Sequence, residues 1–231
     1  MTAGQMMKPL ADASPTLEQS NALKLLAIVT MTVDHIGAIL LPQVTWLRII
    51  GRIAFPIFAY QLAAGYVHTH SLPSYARRLA IWGLIAQPVY MLAFGVRPWT
   101  LNIFATLLLG LLAIWGWDQH RWWALAAAFS IAAVQLWLPG VGPDYGVYGV
   151  LLCLVSYVLF QHKDQLAVGH ALLHVLASAL LWPVQIYALA SLPFILWPPS
   201  LHRIRVRGTL FYAYYPAHLL VLILVRLLFP R

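Results

Sequence analysis

Asp34 and His35 sit side by side in the apolar run LKLLAIVTMTVDHIGAILL, and His218 lies in a second one, FYAYYPAHLLVL. Ionisable side chains are costly in such surroundings, so each is a candidate functional group. Imidazole takes up and releases a proton near neutral pH, and a neighbouring carboxylate can orient the ring or offset its charge. His35, Asp34 and His218 are therefore candidate acid–base residues, with His35 and His218 as alternatives for the base. Asp34 is about 100° around the helix from His35, so a partner for it must come from another helix. Lys24, Ile28, Met31 and His35 fall on one stripe of a 3.6-residue helix. At 1.5 Å per residue, Lys24 and His35 stand roughly 16 Å apart along the axis, one at a mouth and one at depth.

Further polar residues extend the candidate set. Arg48 and Arg52 share a face ahead of Pro56, and Arg52, one turn deeper, needs an anion, for which Asp34 is the nearest candidate. His68, His70, Arg77 and Arg78 cluster in GYVHTHSLPSYARRL, and arginines beside histidines suit phosphate groups. Asp144 in PDYGVYG can cap the following helix or receive a cationic substrate group, with Tyr145 beside it. Tyr215 shares a face with Phe211 and His218. Asn102, Thr106 and Gly110 form a stripe suited to close helix packing, and Asn102 is also a candidate substrate contact. His170 and His174 are spaced to clamp a metal, but no third ligand is evident, so no metal is expected. Protease, hydrolase and nucleotide-binding motifs of the HExxH, GxSxG, P-loop and GxGxxG types are absent.

The elements that position these residues follow from composition. Of 231 residues, 62% are hydrophobic and 9% charged, against about 45–50% and 25% in soluble domains. Such a chain cannot cover a water-soluble globule, which excludes a cytosolic enzyme, a disordered segment and a nucleic-acid reader. The formal charge of +8 reads as loop charge that orients membrane spans. The single cysteine, Cys153, excludes a disulfide framework. Spans of about 20 apolar residues are expected near 22–41, 47–66, 77–95, 100–117, 122–138, 145–161, 166–181, 184–199 and 208–229. All are helical, because backbone amides at membrane depth must be satisfied within their own segment.

The fold class is therefore all-α, a polytopic transmembrane bundle of about nine spans. Residues 1–20 form a cytoplasmic tail and 21–231 a single domain. The segment 166–199 is short for two spans, and eight spans or a re-entrant hairpin are alternatives. With the N-terminus cytoplasmic, Lys8, Arg77, Arg78, Arg121, Lys163, Arg203, Arg205 and Arg207 fall inside, and Arg48, Arg97 and Arg231 outside. That asymmetry obeys the positive-inside rule.

The runs LKLLAIVTMTVDHIGAIL, GRIAFPIFAYQLAAGY with SYARRL and IAQP, LNIFATLLLG, DYGVYGVLL and FYAYYPAHLLVL, in this order, resemble the TraX family of bacterial membrane proteins. The family is linked to conjugative plasmids and to acetylation of the pilin N-terminus. It is also distantly similar to the acyltransferase-3 membrane acyltransferases, in which an arginine and a histidine spaced Arg-x10-His on the first helix carry acyl transfer. Lys24 and His35 occupy that spacing here, with lysine in place of arginine. The resemblance implies a multi-pass protein of the bacterial inner membrane that uses acetyl-CoA as donor. It implies a pilin subunit as partner, in contact with lipid and with no nucleic acid. His35 or His218 would be the base, and Lys24, Arg52, Arg77 and Arg78 the contacts to the donor. Asn102, Asp144, Tyr145 and Tyr215 would meet the acceptor. A non-catalytic pilin-maturation partner or chaperone is the alternative, and a small-molecule transporter a third possibility.

Overall fold

The computed structural model describes residues 14–201, 206 and 208–229. The chain is all-helical apart from one short strand pair. Helix α1 (Leu17–Ile39) is followed by α2 (Thr45–Gly51), α3 (Ala54–His68) and α4 (Leu72–Phe94). Helices α5 (Ile103–Asp118), α6 (Trp122–Trp137), α7 (Gly146–Val158) and α8 (Lys163–Leu180) come next. A 3₁₀ segment, Pro183–Ser191, then leads into α9 (Leu192–Leu196), and α10 (Gly208–Leu228) completes the described chain. Among the described residues, three segments are long and apolar enough to cross a membrane: Leu17–Ile39, Thr45–His68 and Gly208–Leu228. Large apolar side chains such as Leu84, Leu92, Trp137, Leu180 and Leu228 face outward, as membrane-facing surfaces do and soluble surfaces rarely do.

Helix α1 begins within the segment expected to be a polar tail. Thr16 and Gln19 form a reciprocal capping box that starts the helix at Leu17. Residues 1–13, with Lys8, and Arg203, Arg205, Arg207 and Arg231 lie outside the described residues. The expected span 47–66 is not one helix but two, α2 and α3, parted at Arg52–Ile53. Pro56 explains the break: it has no N–H to offer the Arg52 carbonyl, so the ladder opens one turn before it. The expected span 184–199 is a nine-residue 3₁₀ segment and a five-residue α-helix instead of one α-helix. Gln19 Nε2 donates to the Pro198 carbonyl, which brings that segment back to the end of the bundle where α1 starts.

At the opposite end, Thr100–Leu101 (β1) pairs in parallel with Gly142–Pro143 (β2). This pairing holds the 138–146 loop over the bundle. Gln135, with its amide oriented to suit its neighbours, donates to the Pro143 carbonyl and accepts from the Gly146 amide. Gly146 has φ +49, and a Cβ there would collide with the Gln135 side-chain amide. The main core joins α1, α3, α4, α5, α7 and α10, and a small alanine-rich cluster seats α6 against α5 and α7.

Candidate functional site

Helices α1 and α10 bring His35 and His218 together, although 183 residues separate them in sequence. His35 Nδ1 and His218 Nε2 are 2.7 Å apart, and the rings lie nearly parallel, with centroids 5.0 Å apart. The remaining ring nitrogen of His218, Nδ1, is 2.8 Å from the Tyr214 carbonyl. A carbonyl can only accept, so the proton of a neutral His218 resides on Nδ1 and its Nε2 accepts. His35 must then donate through Nδ1, which leaves His35 Nε2 with a free lone pair. The network thus selects one tautomer at each ring and leaves a ring nitrogen of His35 available as an acceptor, with His218 orienting the ring. Tyr214 stacks on His218 with a centroid separation of 5.0 Å, and its hydroxyl lies 2.8 Å from Thr32 Oγ1.

Asp34 does not touch this pair. Its carboxylate is gripped by Arg48 Nη1 at 2.5 Å and Arg52 Nη2 at 2.6 Å. Arg52 therefore meets the anion that its depth demands, and also donates to the Arg48 carbonyl and to Gln185 Oε1. Gly51 permits the close approach, since a Cβ there would lie 2.1 Å from Asp34 Oδ1. The clamp fixes the α2–α3 break against α1, next to His35.

Three neighbouring cavities that share lining residues run along this seam. The largest, about 730 Å³, opens at the end where α1 begins and is lined by Lys24, His68, Tyr75, Arg78, Phe211 and Tyr212 among others. The Arg78 guanidinium lies over the Tyr75 ring at 5.3 Å, a cation–π contact. A neck of about 40 Å³ follows, with Phe58, Leu107, Phe211 and Tyr212 shared with the mouth. Beyond it, a chamber of about 30 Å³ is lined by Met31, Asp34, His35, Phe58, Asp144, Tyr145 and Tyr215. The Lys24–His35 stripe thus runs from mouth to chamber.

Other candidates fall elsewhere or serve the framework. Arg77 is exposed and lines none of these cavities. Asn102 caps α5: its Oδ1 accepts from the Phe104 amide, and its Nδ2 donates to Gly83 O and Gln87 Oε1. Asp144 accepts from the Tyr90 hydroxyl at 3.3 Å, and burial pushes its carboxyl up to about 6. The Tyr145 ring stacks on Phe55 at 3.8 Å, and the Tyr215 ring stands edge-on to His35 at 6.0 Å. His170 and His174 are fully buried against Ser156 and Tyr148. No group of three or more metal-ligating side chains occurs among the described residues.

Several contributors were not visible in the sequence. The Tyr214 carbonyl carries no side-chain signal, and Arg48 reads as a headgroup anchor until Asp34 is seen beside it. Tyr75 and Tyr212 become mouth residues only when α4 and α10 meet. The aromatic run FYAYYP was the one available sign that this part of α10 lines a cavity.

The family model "TraX protein" matches residues 19–226, which include all of the cavity-lining residues named above. The chain belongs to the TraX family. It is similar to "Protein TraX" of Escherichia coli, 34% identical over 148 residues, covering 64% of this chain and 58% of that protein. "Protein TraX" of Escherichia coli strain K12 is 30% identical over 151 residues, covering 64% and 59%. A "Probable fimbrial assembly protein FimC, serogroup H1" of Dichelobacter nodosus is 30% identical over 230 residues, covering 87% of this chain and 92% of that protein. The match thus spans under two thirds of the E. coli TraX proteins but nearly the whole fimbrial relative. No solved structure matches this TraX-family chain.

Proposed function

We propose that this TraX-family chain is a membrane-embedded acetyltransferase. It moves an acetyl group from cytoplasmic acetyl-CoA to the N-terminal amine of a pilin held in the bacterial inner membrane. The supporting observation is the graded passage, in which a cationic, aromatic mouth narrows through an apolar neck to an imidazole with a free Nε2. The donor fits this gradient. Lys24 and Arg78 suit its phosphates, Tyr75 and Tyr212 offer faces for its base, and the neck suits the thin arm that carries the thioester. The name of the Dichelobacter nodosus relative speaks of fimbrial assembly, which supports a pilin as acceptor.

The chemistry uses this chain's own groups. Asp144 receives the incoming ammonium, which sheds one proton to solvent to become the nucleophile. Its nitrogen attacks the thioester carbonyl, forming the C–N bond, and its second proton passes to His35 Nε2 as the C–S bond breaks. His35 returns that proton to the departing sulfur, so the coenzyme leaves as a thiol. His218 stabilises the transient imidazolium through the Nδ1–Nε2 hydrogen bond. Nine passes with a cytoplasmic N-terminus accord with the return of Pro198 to the α1 start and put the mouth on the cytoplasmic side.

The test is the mass of the pilin co-expressed with the wild-type chain, with His35→Ala and without the protein. The reading expects one added acetyl group with the wild type and none with His35→Ala at equal protein level. Equal pilin mass in all three would refute it and leave a non-catalytic maturation role. General-base loss costs about 10²–10⁴ in rate, so residual acetylation above a hundredth of wild type would instead shift the base to another residue.

A further inference from the structure

Two pairs of polar side chains join α1 to α10, His35 with His218 and Thr32 with Tyr214. Thr32 and His35 are an i, i+3 pair on α1, and Tyr214 and His218 an i, i+4 pair on α10, so each helix presents both of its residues on one face. Thr32 Oγ1 lies 2.8 Å from the Ile28 carbonyl, one turn back on its own helix. A carbonyl only accepts, so the Thr32 proton is committed there, and the Tyr214 hydroxyl, also at 2.8 Å, donates to Thr32.

The rings of His35, His218 and Tyr214 form one column. His35 and His218 are inclined by 6° and His218 and Tyr214 by 10°, each pair with centroids 5.0 Å apart. Tyr214 thus holds His218 twice, through its ring and through the carbonyl that takes the Nδ1 proton. The turn that carries Tyr214 is weak within its own helix, because Pro216 has no N–H for the Tyr212 carbonyl. Thr32 supplies an anchor from outside that helix.

We propose that Thr32 and Tyr214 are positioning residues that hold the imidazole pair in the tautomers and orientation that leave His35 Nε2 free. This rests on the acyltransferase reading, in which that nitrogen takes the proton. Neither residue lines the mouth, the neck or the chamber, so both act through His218. Without the Thr32–Tyr214 bond, the Tyr214 ring and carbonyl drift from His218 and its Nδ1 proton loses its acceptor. His218 Nε2 is then no longer reserved for His35, and His35 can carry its own proton on Nε2, where it cannot accept another.

The experiment uses the full chain in lipid nanodiscs, with acetyl-CoA and an amine-bearing acceptor peptide. Tyr214→Phe and Thr32→Val remove the same hydrogen bond from opposite ends, whereas Thr32→Ser keeps it. A misplacement of about 1 Å remote from the chemistry can cost about a hundredfold, so kcat in each of the first two should fall at least about tenfold. The KM for acetyl-CoA should stay at the wild-type value, and Thr32→Ser should restore kcat. The double variant should fall no further than the worse single one, because one bond is lost in all three. Solid-state NMR of the histidine-labelled chain at neutral pH reads the tautomers, with the two rings assigned by the signals missing in His35→Gln and His218→Gln. Both rings should carry the proton on Nδ1 in the wild type and shift partly to Nε2 in Tyr214→Phe and Thr32→Val. A wild-type His218 protonated on Nε2 overturns the proposal, and this measurement needs no variant to fold. Unchanged ring signals, or an unchanged kcat, in both single variants overturn it as well. If the wild type transfers no acetyl group, the acyltransferase reading fails, and the ring signals alone then decide the positioning.

Discussion

Asp34 ties α1 to the broken α2–α3 segment, and its two arginines should not matter equally. The side chains of Asp34 and Arg52 are 9% and 10% exposed, whereas that of Arg48 is 35% exposed. Removing one partner of a buried ion pair costs about 3–5 kcal/mol, because the other charge is left without compensation. A solvent-exposed pair is worth about 0–1 kcal/mol. Arg52→Met strips Asp34 of its buried partner and leaves Gln185 Oε1 and the Arg48 carbonyl without their donor, so the larger figure applies. Arg48→Met leaves the buried pair in place, and water screens what is lost, so about 1 kcal/mol is expected. Asp34→Asn keeps the shape but leaves two guanidiniums facing a neutral amide, again about 3–5 kcal/mol. For a chain of this size each kcal/mol moves Tm by about 2–4 °C. Arg52→Met and Asp34→Asn should therefore lower Tm by at least about 6 °C, and Arg48→Met by no more than about 4 °C. Thermal unfolding in mild detergent, followed by the fluorescence of the ten tryptophans, reads all three directly. If Arg48→Met proves as damaging as Arg52→Met, the assignment of the stability to the buried half of the clamp is wrong.

Two more outcomes follow from the same neighbourhood. Gly51→Ala places a methyl 2.1 Å from Asp34 Oδ1, so its Tm should fall with that of Asp34→Asn, and a near-wild-type value would show that the clamp yields easily. Burial raises the Asp144 carboxyl to about 6, so its negative charge is present above that pH and lost as pH falls through it. Acceptor kcat/KM should drop on the acid side of about 6, and this limb should be missing in Asp144→Asn; an identical limb in the variant assigns it to another group.

Much of the helical framework was legible because apolar runs and their breakers are local signals. The apolar runs expected near 122–138 and 145–161 are helical as α6 and α7. The Lys24–His35 stripe was legible for the same reason, since one helix carries both ends. The exact seat of the α2–α3 break was not, because Pro56 acts on a carbonyl four residues upstream and the cost is met by Arg52 turning to Asp34. The 3₁₀ form of Pro183–Ser191 was equally hidden, as was the α1–α10 contact. Which of the two histidines keeps a ring nitrogen free to accept cannot be read from either run alone. It depends on a backbone carbonyl one turn away and on a ring contributed by another helix.

One turn of α10 carries two jobs. Phe211 and Tyr212 form the doorway of the neck, and Tyr214 supplies the carbonyl that fixes the proton on His218. Pro216, just beyond, cannot return an amide to the Tyr212 carbonyl, so this turn is joined to the rest of the helix by one bond fewer. The lining of the neck and the tautomer of His218 therefore depend on the seating of the same turn.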